Sequence, residues 1–398
     1  MAMKYRRFGR TELQMPVFSC GGMRYQQAWG DLDADKIEKE QQENLAATIH
    51  RAFELGINHI ETARGYGSSE MQLGWVLPKM PREKLIVQTK VGPTENPQDF
   101  ADNFEKSMKY LQLNYVDLLS FHGINTEEIL DWVLRPGGCM EKARQWQREG
   151  RVRFIGYSTH GTERVISKAN ETGEFDYYNV HWYYVNPVNW PSVEAAARHD
   201  MGVFIISPTD KGGRLQDPPQ KLRDLCAPLS PMQFNDLYCL SKPEVHTLSI
   251  GAARPSDFDE HVASLEHYDN INSVVAPIEA RLNEEIDRVL EPRLGTSWRT
   301  RWQEGLPEHL DVVDDMNIEE ALRLYTYAEA FDLHEWARGR YNLLGKNDHF
   351  FPGNKIVNSE DRVLEAAVAT SPFAAKIPQV LRDTHAMLDG EAKRLSAS

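Results

Sequence analysis

From about residue 15 to residue 270 the chain keeps one beat. A short apolar, β-branched run is followed by a stretch with apolar residues at helical spacing, and then by the next run. Eight runs stand out, at 17–20, 58–61, 85–90, 116–121, 152–156, 178–182, 203–207 and 246–251. The punctuation between them predicts helices. A helix over 41–55 is closed by Gly56 and leads at once into a strand. Asn96-Pro97-Gln98-Asp99 supplies an N-cap, a first-turn proline and an acidic residue. Ser69 with Gln72, and Ser230 with Gln233 around Pro231, fit capping boxes.

Strands that alternate with helices predict a parallel sheet. Eight repeats in roughly 250 residues match a closed (β/α)8 TIM barrel. An open, doubly wound sheet should carry a Gly-rich phosphate turn after its first strand, and Ser19-Cys20-Gly21-Gly22-Met23-Arg24 is not one. Beyond about residue 272 the beat stops. Segments 278–290, 318–331, 333–343, 362–370 and 377–388 carry helical spacing, with Asn317 and Glu320 capping the second. The expected fold class is therefore α/β, a barrel over 1–275 followed by a C-terminal all-α domain over 276–398. The Gly- and Pro-rich stretch 209–229 reads as a long loop after the seventh strand, where barrels place function.

Composition narrows the partners. Lys and Arg number 45 and Asp and Glu 59 among 398 residues, a net charge of −14. That balance, without a block of basic residues, argues against nucleic acid or an anionic membrane surface. No apolar run approaches the ~18 residues a membrane span needs, and no apolar segment follows the basic N-terminus as in a secretory signal. Cys20, Cys139, Cys226 and Cys239 match no zinc, haem or redox spacing, which predicts a reduced, cytoplasmic protein without a bound metal.

The chemistry of a barrel gathers at the C-terminal ends of its strands. Strand two ends in Glu61 and runs into Thr62-Ala63-Arg64-Gly65-Tyr66-Gly67; strand three ends in Lys90; strand four runs into His122. Singly, each has a bland reading. Glu61 and Lys90 make a structural ion pair, Tyr66 is a loop aromatic, and His122 is a satisfied histidine. Together they form an acid-catalysis set. A phenol with a pKa near ~10 is a poor proton donor at neutral pH. A lysine ammonium beside it stabilises the phenolate, a carboxylate holds the lysine, and a histidine orients a substrate carbonyl.

Four stretches resemble the aldo-keto reductases: Gly56-Ile57-Asn58-His59-Ile60-Glu61-Thr62-Ala63-Arg64-Gly65-Tyr66-Gly67-Ser68-Ser69-Glu70 with Leu73-Gly74; Gln88-Thr89-Lys90-Val91; Tyr115-Val116-Asp117-Leu118-Leu119-Ser120-Phe121-His122; and Arg151-Val152-Arg153-Phe154-Ile155-Gly156-Tyr157-Ser158. Order and spacing agree along about 270 residues, and residues 5–11 resemble the family's N-terminal hairpin. The resemblance implies a barrel that binds NADP(H) without a Rossmann fold and reduces an aldehyde or ketone. It makes Tyr66 the general acid, Lys90 its partner and His122 the carbonyl-orienting residue. Glu61 stands where the family usually has Asp. Cofactor positions carried over in the same way are Gly22, Met23, Ser158, Thr159, Asn179, Ser207, Thr209, Lys211, Gly213, Gly251, Arg254 and Asp257. Of these, Gly251 to Asp257 opens the last barrel helix, where the 2′-phosphate is normally read, and Arg254 beside a helix N-terminus suits an anion. The expected substrate walls are 23–29, 182–184 and the 209–229 loop, whose aromatic content suits a hydrophobic or aromatic carbonyl.

The tail resembles the helices of a ferredoxin-like domain found in one branch of that family. A cluster needs about four thiolates, and no cysteine follows Cys239, so the expected domain has lost its iron–sulfur ligands. The Trp-bearing segment 296–302 is expected to pack on the barrel mouth or an oligomer partner. Two rival readings remain: a nicotinamide-binding redox-sensing subunit with slow turnover, and a metal-dependent barrel hydrolase using His122, His160 and His181.

Overall fold

A computed structural model of the chain describes residues 2–25, 27–343 and 354–391. A hairpin of β1 (Tyr5–Arg7) and β2 (Gln14–Pro16) precedes the barrel. The barrel strands are β3 (Phe18–Gly21), β4 (His59–Glu61), β5 (Ile86–Val91), β6 (Val116–His122), β7 (Val152–Ser158), β8 (Tyr177–Val180), β9 (Gly202–Ile205) and β10 (Thr247–Ile250). All eight expected runs are present, and β10 returns to pair with β3, closing the barrel.

Every residue of β5 is buried, as a strand flanked by helices outside and side chains inside demands. Phe8, from the hairpin turn, is fully buried with Met15, Ile86, Leu118, Tyr177 and Phe204, near the N-terminal ends of the strands. Burial of such a ring stabilises the fold by about 1.5–3 kcal/mol. The ring fits because position 202 is glycine: an added Cβ would lie 2.6 Å from Phe8 Cζ.

Local signals behave as their chemistry predicts, with one exception. Lys39–Glu54 is a helix, and Gly56 after it has φ +83. The Asn96 carboxamide accepts from Gln98 N at 3.2 Å. Ser230 and Gln233 cap each other reciprocally, both at 3.2 Å. The exception is Ser69. It begins the helix Ser69–Gly74 rather than capping it, and its hydroxyl donates to Gly22 O at 2.8 Å. A buried backbone carbonyl outcompeted the local cap.

The chain divides into two compact units, Met1–Thr209 with Asn235–Ile271, and Asp210–Phe234 with Asn272–Ser398. The stretch after β9 thus differs from a plain loop. It contains the helix Gln220–Cys226 and clusters with the tail. Inside that second unit, Lys221 pairs with Glu285 at 2.8 Å, Arg281 donates to Leu225 O at 3.1 Å, and Trp336 Nε1 donates to Lys211 O at 3.2 Å.

The tail's described elements are helical, chiefly Ile271–Leu294, Ile318–Phe331, His334–Tyr341, Asp361–Ala367 and Ile377–Leu388. Trp298 belongs to the Trp-bearing segment 296–302. It is buried in the second unit, donates from Nε1 to Thr326 Oγ1 at 3.0 Å and meets Phe373 edge-on at 5.0 Å. Parts of the expected tail, 344–353 and 392–398, lie outside the described residues. No described helix is long and apolar enough to cross a membrane.

Candidate active site

Parallel strands bring residues of equal register to one end of the barrel, and β4, β5 and β6 end in Glu61, Lys90-Val91 and His122. After Glu61 the chain turns into the helix Ser69–Gly74, and Tyr66 rides on that turn. Backbone bonds fix its path: Thr62 N to Gln88 O at 2.9 Å, Arg64 N to Lys90 O at 2.8 Å, and Tyr66 N to Ala63 O at 3.0 Å. Gly67 takes φ +51 where an added Cβ would strike Ala28 O, so only glycine serves there. Arg64 locks the turn from outside. It pairs with Asp31 and with buried Glu70 and lies over the Tyr110 ring at 4.8 Å; Glu70 also accepts from Thr89 Oγ1 at 2.6 Å.

Lys90 is buried, in contact with the Glu61 carboxylate, and donates to Thr62 O at 2.9 Å. Its ammonium lies 4.6 Å from the centroid of the Tyr66 ring. The His122 ring stands at 88° to the Tyr66 ring, with centroids 5.6 Å apart. No described residue hydrogen-bonds the Tyr66 hydroxyl. Burial pushes the Tyr66 phenol above the ordinary tyrosine range, so it is protonated at neutral pH. Burial also pulls the Lys90 ammonium down, and contact with Glu61 acts against that pull.

The cofactor positions fare unevenly. Ser158 and Asn179 are register partners on β7 and β8, and both are buried. Asn179 accepts from Gln88 Nε2 at 3.4 Å, while its own Nδ2 is buried without a partner. An unsatisfied buried donor at this place fits a bound carboxamide. Thr159 does not offer its hydroxyl in the same way: Oγ1 donates to Ile124 O at 2.7 Å and accepts from Gly161 N at 2.9 Å. Gly22 is buried where an added Cβ would meet Glu61 O at 2.6 Å, and Met23 beside it is half-buried. Ser207 follows β9 in a left-handed conformation, φ +54, and is half-buried like Thr209.

Lys211 and Gly213 belong to the second unit. There burial and the nearby Arg340 guanidinium hold the Lys211 ammonium well below the usual lysine range. Gly213 has φ +128, and a Cβ there would lie 3.2 Å from Leu215. After Gly251, the expected helix N-terminus is a four-residue 3₁₀ turn, Pro255–Phe258. Two backbone donors leading into it are taken, because Asp257 accepts from Ala253 N at 2.9 Å and Arg254 N at 3.3 Å. The Arg254 guanidinium is also available to an anion; its side chain is 74% exposed and rests on Asp257 at 2.9 Å.

The other expectations separate as well. His160 Nδ1 and His181 Nε2 bond to each other at 2.7 Å, whereas His122 faces Tyr66. Among the described residues no three metal-ligating side chains gather. Trp182, Tyr183 and Tyr184 are mostly spent on packing, with Trp182 stacked on Tyr238 at 5.2 Å. Trp29 is 41% exposed, and Gln26 of the same segment lies outside the described residues.

One set was missed in the sequence. His59, Gln88, Ser120 and Tyr177 form a polar layer inside the barrel. The signal was period two: each stands two residues before Glu61, Lys90, His122 or Asn179, on the same inward face.

Comparison with known proteins bears on the fold and the family. Residues 18–273 match the model of the aldo/keto reductase family. Over 330 residues the chain is 24% identical to L-galactose dehydrogenase of Arabidopsis thaliana, covering 74% of this chain and 97% of that one. An aldo-keto reductase of Bacillus halodurans in its holo form superposes with a TM-score of 0.57 at 19% identity, over 68% of this chain and 96% of that one. One from Klebsiella pneumoniae in complex with NADPH gives a TM-score of 0.52 at 17% identity, over 70% and 96%. The closed barrel and the family match lead to one conclusion: the chain belongs to the aldo/keto reductase family, and is an oxidoreductase by that membership.

Proposed function

We propose that this protein reduces an aldehyde or ketone to an alcohol with NADP(H), Tyr66 acting as the general acid. The observation that carries the reading is the placing of Tyr66 between the Lys90 ammonium at 4.6 Å from its ring and the His122 ring at 5.6 Å. NADPH, when bound, supplies a hydride to the carbonyl carbon. Tyr66 then gives its proton to the oxygen as charge builds there. Lys90, over the ring face, stabilises the phenolate left behind, and Glu61 keeps Lys90 in place and charged. His122 orients the carbonyl oxygen toward the phenol.

Ser158 and the Nδ2 of Asn179 would hold the nicotinamide amide, and the Arg254 guanidinium would hold the 2′-phosphate. That NADPH is bound by the Klebsiella pneumoniae relative supports the choice of cofactor. The substrate is a small-molecule carbonyl compound. We place the protein in the cytoplasm, in keeping with four free thiols. The helical tail is read as descended from a ferredoxin-like domain, its clusters lost. The test is direct: the purified protein is titrated with NADPH and NADH by nicotinamide fluorescence, then assayed with a panel of aliphatic and aromatic aldehydes. Tight NADPH binding with aldehyde-dependent oxidation is expected. No binding of either cofactor at millimolar concentration overturns the reading.

A further inference from the structure

We infer that Gln88 is a positioning residue, which sets the orientation of the Asn179 amide so that Nδ2 faces the carboxamide oxygen of the nicotinamide. The inference rests on the reading of Asn179 as a wall of the nicotinamide pocket.

A line of buried side chains crosses the barrel interior. Thr247 Oγ1 lies 2.7 Å from Ser19 Oγ, and Ser19 Oγ 2.6 Å from His59 Nδ1. His59 Nε2 is 3.0 Å from Gln88 Oε1. Gln88 Nε2 donates to Ser120 Oγ at 2.8 Å and to Asn179 Oδ1 at 3.4 Å; Ser120 in turn meets the Tyr177 hydroxyl at 2.9 Å. Six strands contribute: β10, β3, β4, β5, β6 and β8.

Such a line has a direction. Burial, chiefly, and the Lys90 charge lower the His59 pKa to about 3, so the ring is neutral and owns one N–H. With Ser19 donating to Nδ1, that N–H sits on Nε2 and donates to Gln88 Oε1. The Gln88 amide is then turned with its NH2 toward Asn179, which must answer with its carbonyl oxygen. The Asn179 NH2 group is left over, buried and without a partner. Run backwards, the same line leaves over the Asn179 oxygen instead. An orphaned buried donor destabilises the fold, since its lost bond to water is not replaced. A site that keeps one has a ligand acceptor to meet it.

The test uses the full-length protein and the variant Gln88→Met, which keeps side-chain volume and removes both the acceptor and the donor of the amide. NADPH and its analogue with a thioamide in place of the carboxamide are titrated by fluorescence or by competition. Wild type is expected to bind NADPH several-fold more tightly than the thioamide, because sulfur is the weaker acceptor. Gln88→Met should bind NADPH about 5–10-fold more weakly and no longer distinguish the two cofactors, the loss of one hydrogen bond's worth of affinity. A Kd for NADPH within twofold of wild type overturns the inference. So does an equal loss for both cofactors, which marks a general packing defect. If wild type binds NADPH, failure of these results strikes Gln88 alone; if wild type binds no nicotinamide cofactor, the pocket itself is misread and the inference falls with it. Should the variant not fold, a wild-type structure with NADPH decides. Asn179 Nδ2 donating to the carboxamide oxygen supports the relay, and the reversed amide refutes it.

Discussion

The Lys90 ammonium lies over the face of Tyr66, 4.6 Å from the ring centroid, while its charge is held by Glu61. Both partners of that ion pair are nearly inaccessible, with side-chain exposures of 1% and 4%. A buried pair of this kind is weak evidence for stability, because desolvation offsets attraction, but breaking it leaves an uncompensated charge. Its position between the strand ends and the phenol gives it a second use.

Lys90→Met should therefore act twice. It removes the cation beside the phenol, so kcat should fall by about 10²–10⁴-fold. It also leaves Glu61 buried and unpaired, at a cost of about 3–5 kcal/mol in urea unfolding. Glu61→Gln should cost less activity, since Lys90 keeps its bond to Thr62 O. Glu61→Asp withdraws the carboxylate by one methylene from the Lys90 contact and should lower kcat. An Asp variant as active as wild type would show that the longer arm is not needed.

At the other end of the barrel, Phe8→Ala should destabilise by about 3–5 kcal/mol, the usual loss for a fully buried aromatic ring. Gly202→Ala should also destabilise, because its methyl group would enter the Phe8 ring at 2.6 Å. Urea midpoints measure both. Catalytic constants of the folded fraction should not change.

The His59 ring predicts an acid-side loss of stability. Its pKa is about 3 in the fold and about 6.5 unfolded. Above pH 6.5 both states are neutral and the contribution is complete. As pH falls toward 3, the unfolded chain takes up a proton that the buried ring refuses, and stability drops by about 1.4 kcal/mol per pH unit. Urea unfolding at pH 7 and pH 5 should show this slope in wild type. A His59→Gln variant should show a flatter one.

Arg254 is the one guanidinium of the Ala253–Asp257 turn. Arg254→Ala should weaken NADPH about tenfold and leave NADH within twofold, since only NADPH has the 2′-phosphate that a charged hydrogen bond recognises. Asp257→Asn removes the competing carboxylate at 2.9 Å and should shift preference further toward NADPH. Equal loss of both cofactors in Arg254→Ala would place the phosphate elsewhere.

Period and punctuation made much of this legible. Eight β-branched runs predicted eight strands, and the charged residues ending three of them predicted which side chains would meet. Gly56 and Asn96 act locally, so their roles follow from their neighbours in sequence. Ser69 was misread because its hydroxyl serves Gly22, 47 positions away, and no local rule sees that partner. The stretch 209–229, expected as a plain loop, holds the helix Gln220–Cys226 for the same reason. Arg281 and Trp336 hold that stretch from the distant tail. The polar layer of His59 and Gln88 stands in the sequence as an i, i+2 pattern with Glu61 and Lys90, but its partners Ser120, Tyr177 and Asn179 come from distant strands that only the closed barrel brings together.

The central claim is that Tyr66 delivers the proton. The most direct test is kcat for aldehyde reduction by Tyr66→Phe, with NADPH affinity measured on the same preparation. The account predicts a fall of about 10²–10⁴-fold in kcat with NADPH affinity nearly unchanged, because the phenol meets the substrate and not the cofactor's phosphates. A Tyr66→Phe enzyme that binds NADPH and reduces the aldehyde at the wild-type rate would contradict it.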